Sequence, residues 1–296
     1  MSNGGLISGA FSSTSGLTSR IGQYSIGTAL SSAAAPLTPL IDDTGLKSYY
    51  RFTEENSPFQ NHSQSDDKIS DSDLVVTDDS DDGITYEEST VAGDIPSVAR
   101  WTSSSATDGA FAEAGVASDW NFLHYNAANT NNQPKCTVLF WYNTGAVLNN
   151  TTFFTTTSGD SSSGWRGLNF YQSNWEGGGA TWRIFVSRSG GKLYQIEAPD
   201  DYIEVDNAWH FYSLTYDGST MSLKKDLGDE LTASVSGSPA SGDAFSPLCF
   251  QHINESTETY IPPPNNTAEL SYWNRVLTSA ELISVYNSGQ GNPLYY

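Results

Sequence analysis

The stretch Glu269-Leu270-Ser271-Tyr272-Trp273-Asn274-Arg275-Val276-Leu277 and the residues that follow it, Thr278-Ser279-Ala280-Glu281, decide the fold. The first nine residues read as one strand. The next four form a capping box: the Thr278 hydroxyl can accept from the backbone N–H of Glu281, and the Glu281 carboxylate can reach back to the N–H of Thr278. Leu282, Val285 and Tyr286 then share one helical face, and Gly289 is placed to end the helix in the left-handed conformation. A strand therefore runs into a helix of about two turns. Upstream the chain is patterned almost wholly as strands. Thr152 to Thr157, Gly167 to Gln172, Thr181 to Arg188 and Thr220 to Lys225 each alternate with period two and are separated by turn residues. Such spacing predicts a β-sandwich.

Three further segments extend the pattern. They are Gly45-Leu46-Lys47-Ser48-Tyr49-Tyr50-Arg51-Phe52, the pair Ser118-Asp119-Trp120-Asn121-Phe122-Leu123-His124 and Cys136-Thr137-Val138-Leu139-Phe140-Trp141-Tyr142, and Trp209-His210-Phe211-Tyr212-Ser213-Leu214-Thr215-Tyr216-Asp217-Gly218-Ser219. With the closing strand and helix, these resemble the landmarks of LamG-like jelly rolls, in the concanavalin A-like lectin/glucanase superfamily. The resemblance runs from about residue 45 to residue 289. It implies an all-β jelly-roll sandwich with a short C-terminal helix, the opening strand 46–52 lying beside the closing strand 269–275. Trp141, Trp209 and Trp273 fall in strand landmarks and are expected in the core.

The chain has 296 residues and a formal net charge of −21, from 34 acids and 13 bases. Nucleic-acid binding through phosphate neutralisation needs a basic face and is not expected. No run is long and apolar enough to span a membrane. Between Asp66 and Glu88 there are ten acids and one lysine, which reads as a solvated acidic loop. The two cysteines, Cys136 and Cys249, are too few for a disulfide framework; Cys136 shares a strand face with Val138 and Phe140 and is expected to be buried and reduced. The start, Met1-Ser2-Asn3-Gly4-Gly5, lacks a positive region followed by an apolar one, so no secretory leader is expected. Five N-x-Ser/Thr sequons, at Asn61, Asn149, Asn150, Asn254 and Asn265, are expected by chance in a chain so rich in Asn, Ser and Thr.

Residues 1–41 are a separate object from the domain expected over 42–296. Ser, Gly, Ala and Thr make up 24 of the first forty residues, which hold no acid and one base, Arg20. The apolar residues Leu6, Ile7, Phe11, Leu17, Ile21, Ile26 and Leu30 are scattered singly, and Pro36 and Pro39 mark a linker. Such a segment cannot build a core of its own and becomes ordered when a partner ties it down. It reads as an anchoring arm, the alternative being a free tail. LamG-like domains are common in phage tail fibres, head decorations and other surface appendages. The resemblance and the arm together imply a non-enzymatic virion surface protein, assembled in the host cytoplasm. Its partners are expected to be other virion proteins, held through residues 1–40, with several copies of the chain in a larger assembly. The alternatives are a free, extracellular carbohydrate-binding lectin and a glycan-active enzyme.

Few residues carry recognisable chemistry. Glucanases of the superfamily use a strand of the form E-x-D-x-x-E; here Glu204-Val205-Asp206-Asn207-Ala208-Trp209 puts Trp209 where the third carboxylate belongs. No catalytic residue is therefore assigned. The four histidines, His62, His124, His210 and His252, lack metal-ligand spacing. Asp78-Asp79-Ser80-Asp81-Asp82-Gly83 fails as an EF-hand because Ser89 stands where a bidentate Glu is needed, leaving Asp78 and Asp82 as candidates for a looser Ca²⁺ site. For glycan binding the candidates are Trp165, Arg166 and Trp175 in turn-rich contexts: indole faces stack on sugar C–H groups, and a guanidinium donates to hydroxyls.

Overall fold

The computed structural model describes residues 39–54, 57–77, 84–88, 95, 97–101, 111–125, 134–144, 151–157, 166–173, 181–188, 191–199, 202, 206–250 and 265–295. The arm residues Leu6 to Leu30, the Ca²⁺ candidates Asp78 and Asp82, and Trp165 and Trp175 lie outside them. The described residues form fifteen strands. In chain order these are β1 (Leu46–Tyr50), β2 (Val75–Thr77), β3 (Ile84–Glu88), β4 (Ser97–Trp101), β5 (Phe111–Ala114), β6 (Cys136–Thr144), β7 (Thr151–Thr155) and β8 (Leu168–Ser173). Then come β9 (Thr181–Arg188), β10 (Gly191–Ala198), β11 (His210–Tyr216), β12 (Thr220–Lys225), β13 (Glu230–Ser234), β14 (Leu248–Phe250) and β15 (Asn265–Trp273). One α-helix, α1 (Ser279–Tyr286), follows β15, and a 3₁₀ helix, Ala117–Leu123, follows β5.

The strands make two antiparallel sheets. Sheet 1 has eight strands in the order β13-β12-β11-β6-β15-β4-β3, with β1 also on β15; sheet 2 has seven, β10-β9-β8-β7-β14-β5-β2. This is the expected jelly-roll sandwich. As expected, β1 pairs with β15, with Leu46 opposite Trp273 and Tyr50 opposite Leu270. The closing strand differs from the reading 269–277: it begins earlier and stops at Trp273, because Asn274 and Arg275 turn back onto Gly45, Thr44 and Asp42. Along its other edge β15 changes partner. Asn265 to Thr267 pair with β4 and Leu270 to Trp273 with β1, and the switch is made at a bulge where Glu269 takes φ 50°.

Aromatic side chains fill the space between the sheets. Phe140 of β6 meets Phe153 of β7 at 4.6 Å between ring centroids, Tyr142 meets Trp182 of β9 at 6.1 Å, and Tyr272 of β15 meets Phe154 at 5.7 Å. Cys136, Val138, Tyr212, Leu214 and Tyr216 line the same face. The opposite face of sheet 1 is apolar too, because α1 and the last residues cover it. Leu139, Trp141, Phe211, Ala268 and Trp273 pack there with Leu282, Val285 and Leu294. Two covered faces explain why β6 and β11 read as near-continuous apolar runs rather than strict alternation. Trp141 and Trp273 are buried, as expected. Trp209 is not: it precedes β11 and is half-buried at the margin of this outer cluster. Residues 39–41 already belong to the sandwich: Pro39 bridges Tyr295, and the Leu40 N–H donates to Leu294 O at 2.7 Å.

The capping box of α1 forms as the sequence dictates. Thr278 Oγ1 accepts from Glu281 N at 3.3 Å, and Glu281 Oε2 accepts from Thr278 N at 2.7 Å. The helix ends two residues before Gly289, at Asn287, whose φ of 48° supplies the left-handed cap. Both cysteines are free and buried, Cys136 in sheet 1 and Cys249 in sheet 2, and burial pushes the Cys136 thiol up to about 12.

Candidate functional site

A rim at one end of sheet 2 gathers groups that can meet a ligand. The register sets it: Leu248 lies opposite Ala114, Cys249 opposite Thr155, and Thr155 opposite Asn169. The end of β5, the end of β7 and the beginnings of β8 and β14 therefore share one edge. The 3₁₀ helix and the 235–247 loop, which links β13 to β14, are built on that edge.

The sequence holds the rim rigid from three directions. Trp120 is buried, donates from Nε1 to Ala114 O at 2.8 Å, and packs edge-on against Tyr272 at 5.2 Å, so the 3₁₀ helix is fixed to the core. Asn121 then clamps the loop: its Nδ2 donates to Asp243 Oδ1 at 2.8 Å and its Oδ1 accepts from Ala244 N at 2.7 Å. His124 Nε2 donates to Gly242 O at 3.2 Å. On the strand side, Phe245 N donates to Arg166 O at 2.8 Å and to Thr156 O at 3.1 Å, and Ser246 N donates to Thr156 O at 3.2 Å. Two glycines allow the close approach. A Cβ on Gly167, at φ 146°, would sit 2.5 Å from Thr156 O, and one on Gly242, at φ 101°, would sit 2.8 Å from the Arg166 Nη1.

Three side chains are thereby offered outward on fixed backbone. Phe245 is 37% exposed and Val116, at the start of the 3₁₀ helix, 60% exposed. The Arg166 guanidinium lies half-exposed against the bare Cα of Gly242. It has no carboxylate partner among the described residues, in contrast to Arg51 with Glu269 at 3.8 Å, Arg183 with Glu197 at 3.3 Å and Arg275 with Glu281 at 2.7 Å. The acids on the same rim elements are engaged elsewhere: Asp119 Oδ2 accepts from Val116 N, and Asp243 Oδ1 from Asn121.

Of the candidates read from sequence, the described residues include Arg166 and not Trp165 or Trp175. Phe245, Asn121, Asp243 and Gly242 were not legible as site residues. Ser241-Gly242-Asp243-Ala244 reads as an ordinary turn, and Asn121 sits inside a fold landmark. Only the topology brings them to Arg166.

A second polar cluster joins two loops beside sheet 1. His210 Nδ1 donates to Asp226 Oδ2 at 2.7 Å, and its Nε2 lies 3.3 Å from Asp206 Oδ2, tying the loop before β11 to the β12–β13 turn. The hydrogen bond to Asp226 raises the His210 pKa above the ordinary histidine value, against the opposing effect of burial. Asp206, from the E-x-D stretch, is thus a loop residue bound to His210; Glu204 is outside the described residues. No group of three metal-ligating side chains occurs among the described residues. On the outer face of sheet 2, Glu113 and Glu197 stand on β5 and β10, five strands apart. That is about 24 Å, against the ~5–9.5 Å between the carboxylates of glycoside hydrolases.

No family model and no curated protein sequence matches the chain. Among solved structures it is similar to the binding domain of botulinum neurotoxin serotype D/C, at 14% identity and TM-score 0.52, over 83% of this chain and 52% of that one. It is also similar to a mutant of Trypanosoma rangeli sialidase displaying trans-sialidase activity, at 12% identity and TM-score 0.51, over 84% of this chain and 34% of that one. The chain spans about half the length of the neurotoxin domain and about a third of the sialidase. At these identities the likeness is one of fold. It shows a two-sheet β-sandwich.

Proposed function

We propose that the chain is a non-catalytic, glycan-binding β-sandwich that meets its ligand at the Arg166–Phe245 rim, and that residues 1–40 anchor it in a virion, most simply a phage particle. The glycan part is carried by one observation: an exposed aromatic ring and a guanidinium with no carboxylate partner among the described residues rise from hydrogen-bonded backbone neighbours on a rim held rigid from three sides. Sugars present C–H patches that suit an aromatic face and hydroxyls that suit a fork of donors. Rigid placement lowers the entropic cost of binding. That the same sandwich occurs in a toxin's binding domain and in a sialidase is compatible with such a surface. Anchoring in a particle rests on the composition of the arm, and a free lectin would use the same rim without it.

The test is a glycan-array screen of the full chain, followed by calorimetric titration of the hits against wild type and Phe245→Ala. The variant should bind at least about tenfold more weakly while melting like wild type. Hits whose affinity is indifferent to Phe245→Ala would move the site elsewhere, and the absence of any saccharide hit would defeat the reading. Co-purification with particles of the full chain but not of a chain lacking residues 1–38 would separate a virion protein from a free lectin.

A further inference from the structure

We infer that the rim selects acidic saccharides, taking one carboxylate of the sugar in a two-pronged hydrogen bond to Arg166; the inference rests on the glycan-binding reading and names its ligand class. The chain carries 34 acids and 13 bases, so a guanidinium has acidic partners available in abundance. Arg51, Arg183 and Arg275 have each taken one. Among the described residues Arg166 has not, although Asp119 and Asp243 belong to the same rim; an internal donor holds one oxygen of each. Its backbone carbonyl accepts from Phe245 N, and Gly242 leaves room for the guanidinium against the loop. A planar fork of donors on fixed backbone matches a planar carboxylate, with both N–H···O bonds formed at once.

The surrounding charge narrows the ligand further. At a net charge of −21 the protein repels polyanions, and at physiological ionic strength that repulsion acts within roughly 8 Å and is largely screened beyond it. One cation facing such a field accommodates one negative charge, not a run of them. The favoured ligand is therefore an oligosaccharide with a single acidic residue whose neighbouring ring lies on Phe245. Heparin-like chains and nucleic acids are disfavoured by the same argument.

The experiment compares matched ligands on the full chain: a neutral oligosaccharide, its counterpart with one sugar oxidised to the uronic acid, the methyl ester of that acid, and a counterpart carrying one sulfate ester. The uronic acid should bind at least about tenfold more tightly than the neutral sugar and the ester, as expected for one charge-assisted bidentate pair. Arg166→Gln should abolish that preference, and Arg166→Lys, which keeps the charge but loses the fork, should retain only part of it. The ester comparison needs no variant, so the inference stays testable even if a substitution disturbs folding. Equal affinity for acid, ester and neutral sugar would overturn the inference while leaving glycan binding standing. A preference that survives Arg166→Gln, or tighter binding of the sulfate ester than of the uronic acid, would overturn it as well. Failure of all four ligands and of every other glycan would instead remove the reading beneath it.

Discussion

Glu269 carries a carboxylate into the middle of the closing strand, where it is 5% exposed. The Tyr49 hydroxyl donates to it, and the Arg51 guanidinium lies 3.8 Å away. Burial pushes its pKa up to about 7, against the opposing effects of the Tyr49 hydrogen bond and the Arg51 charge. The sign follows: below the unfolded value of 4.5 both states are protonated. Between that value and about 7 the unfolded chain loses its proton first and stability falls; above it the loss is complete. The loss is on the order of 3 kcal/mol. Glu269→Gln should therefore be more stable than wild type at pH 8 and gain little at pH 4.5, read from denaturant midpoints at both values. An equal difference at the two pH values would show that the carboxylate is not held neutral by the fold. The tryptophans make a second test. Trp141→Ala, between Phe211 at 5.4 Å and Tyr286 at 6.0 Å, should cost about 3–5 kcal/mol, and Trp209→Ala distinctly less, because Trp209 is half-buried. Equal costs would contradict that placement. Strand landmarks in the sequence could not separate these two indoles, because position in a motif does not say which side of the sheet margin a residue falls on. The burial of Glu269 was equally illegible: it depends on a bulge that the alternation of β15 does not announce.

Short elements with side-chain logic of their own were the most legible. The capping box at Thr278, the Asp217-Gly218-Ser219 turn and the strands Thr181–Arg188 and Thr220–Lys225 lie where local chemistry puts them. In that turn, Asp217 Oδ1 accepts from Ser219 N and Thr220 N at 2.8 and 2.7 Å. Ends set by distant partners were less legible. β15 stops at Trp273 because Arg275 reaches Thr44 and Glu281, and α1 stops at Asn287 because Asn292 Nδ2 takes Ser284 O at 2.8 Å. Glu281 is the hub of this corner, serving Thr278 N and both Nη groups of Arg275, whose hydrogen bonds hold its carboxyl below the usual range. Thr278→Ala should cost about 1 kcal/mol, and Glu281→Ala more, since it also strands Arg275. Thermal melts of the two variants check the order, and a Glu281→Ala cost no larger than that of Thr278→Ala would reduce the hub to a simple cap. The His210 clamp responds to pH. Its pKa is raised, so its contribution is full below the ordinary histidine value and is lost as pH rises through the folded one. Titration of the His210 ring by NMR should give a value above 6.5, falling in Asp226→Asn. A value at or below 6.5 would remove the ion pair from the account.

At the scale of the whole molecule, the sandwich closes on itself from Pro39 to Tyr295. The two-sheet jelly roll was legible because a strand–cap–helix ending and recurrent aromatic strands leave few other arrangements. The rim was not, because Asn121, Arg166 and Phe245 are far apart in the chain and meet only through sheet order. The arm's composition points to a partner rather than to this core, so removal of residues 1–38 should leave the melting midpoint unchanged. Removal of residues 1–41 should lower it, since Leu40 and Ile41 pack on the outer cluster. A drop already present in the shorter deletion would place the arm within the fold. On the proposed reading, ligands meet this sandwich at the Arg166–Phe245 rim. The most direct test is an amide chemical-shift map of the full chain titrated with its best acidic oligosaccharide. Saturable shifts should concentrate at Asn121, Arg166, Gly167 and Gly242 to Phe245, and be lost in Arg166→Gln. Saturable shifts confined to the outer face of sheet 1 around α1, with the rim silent, would contradict it.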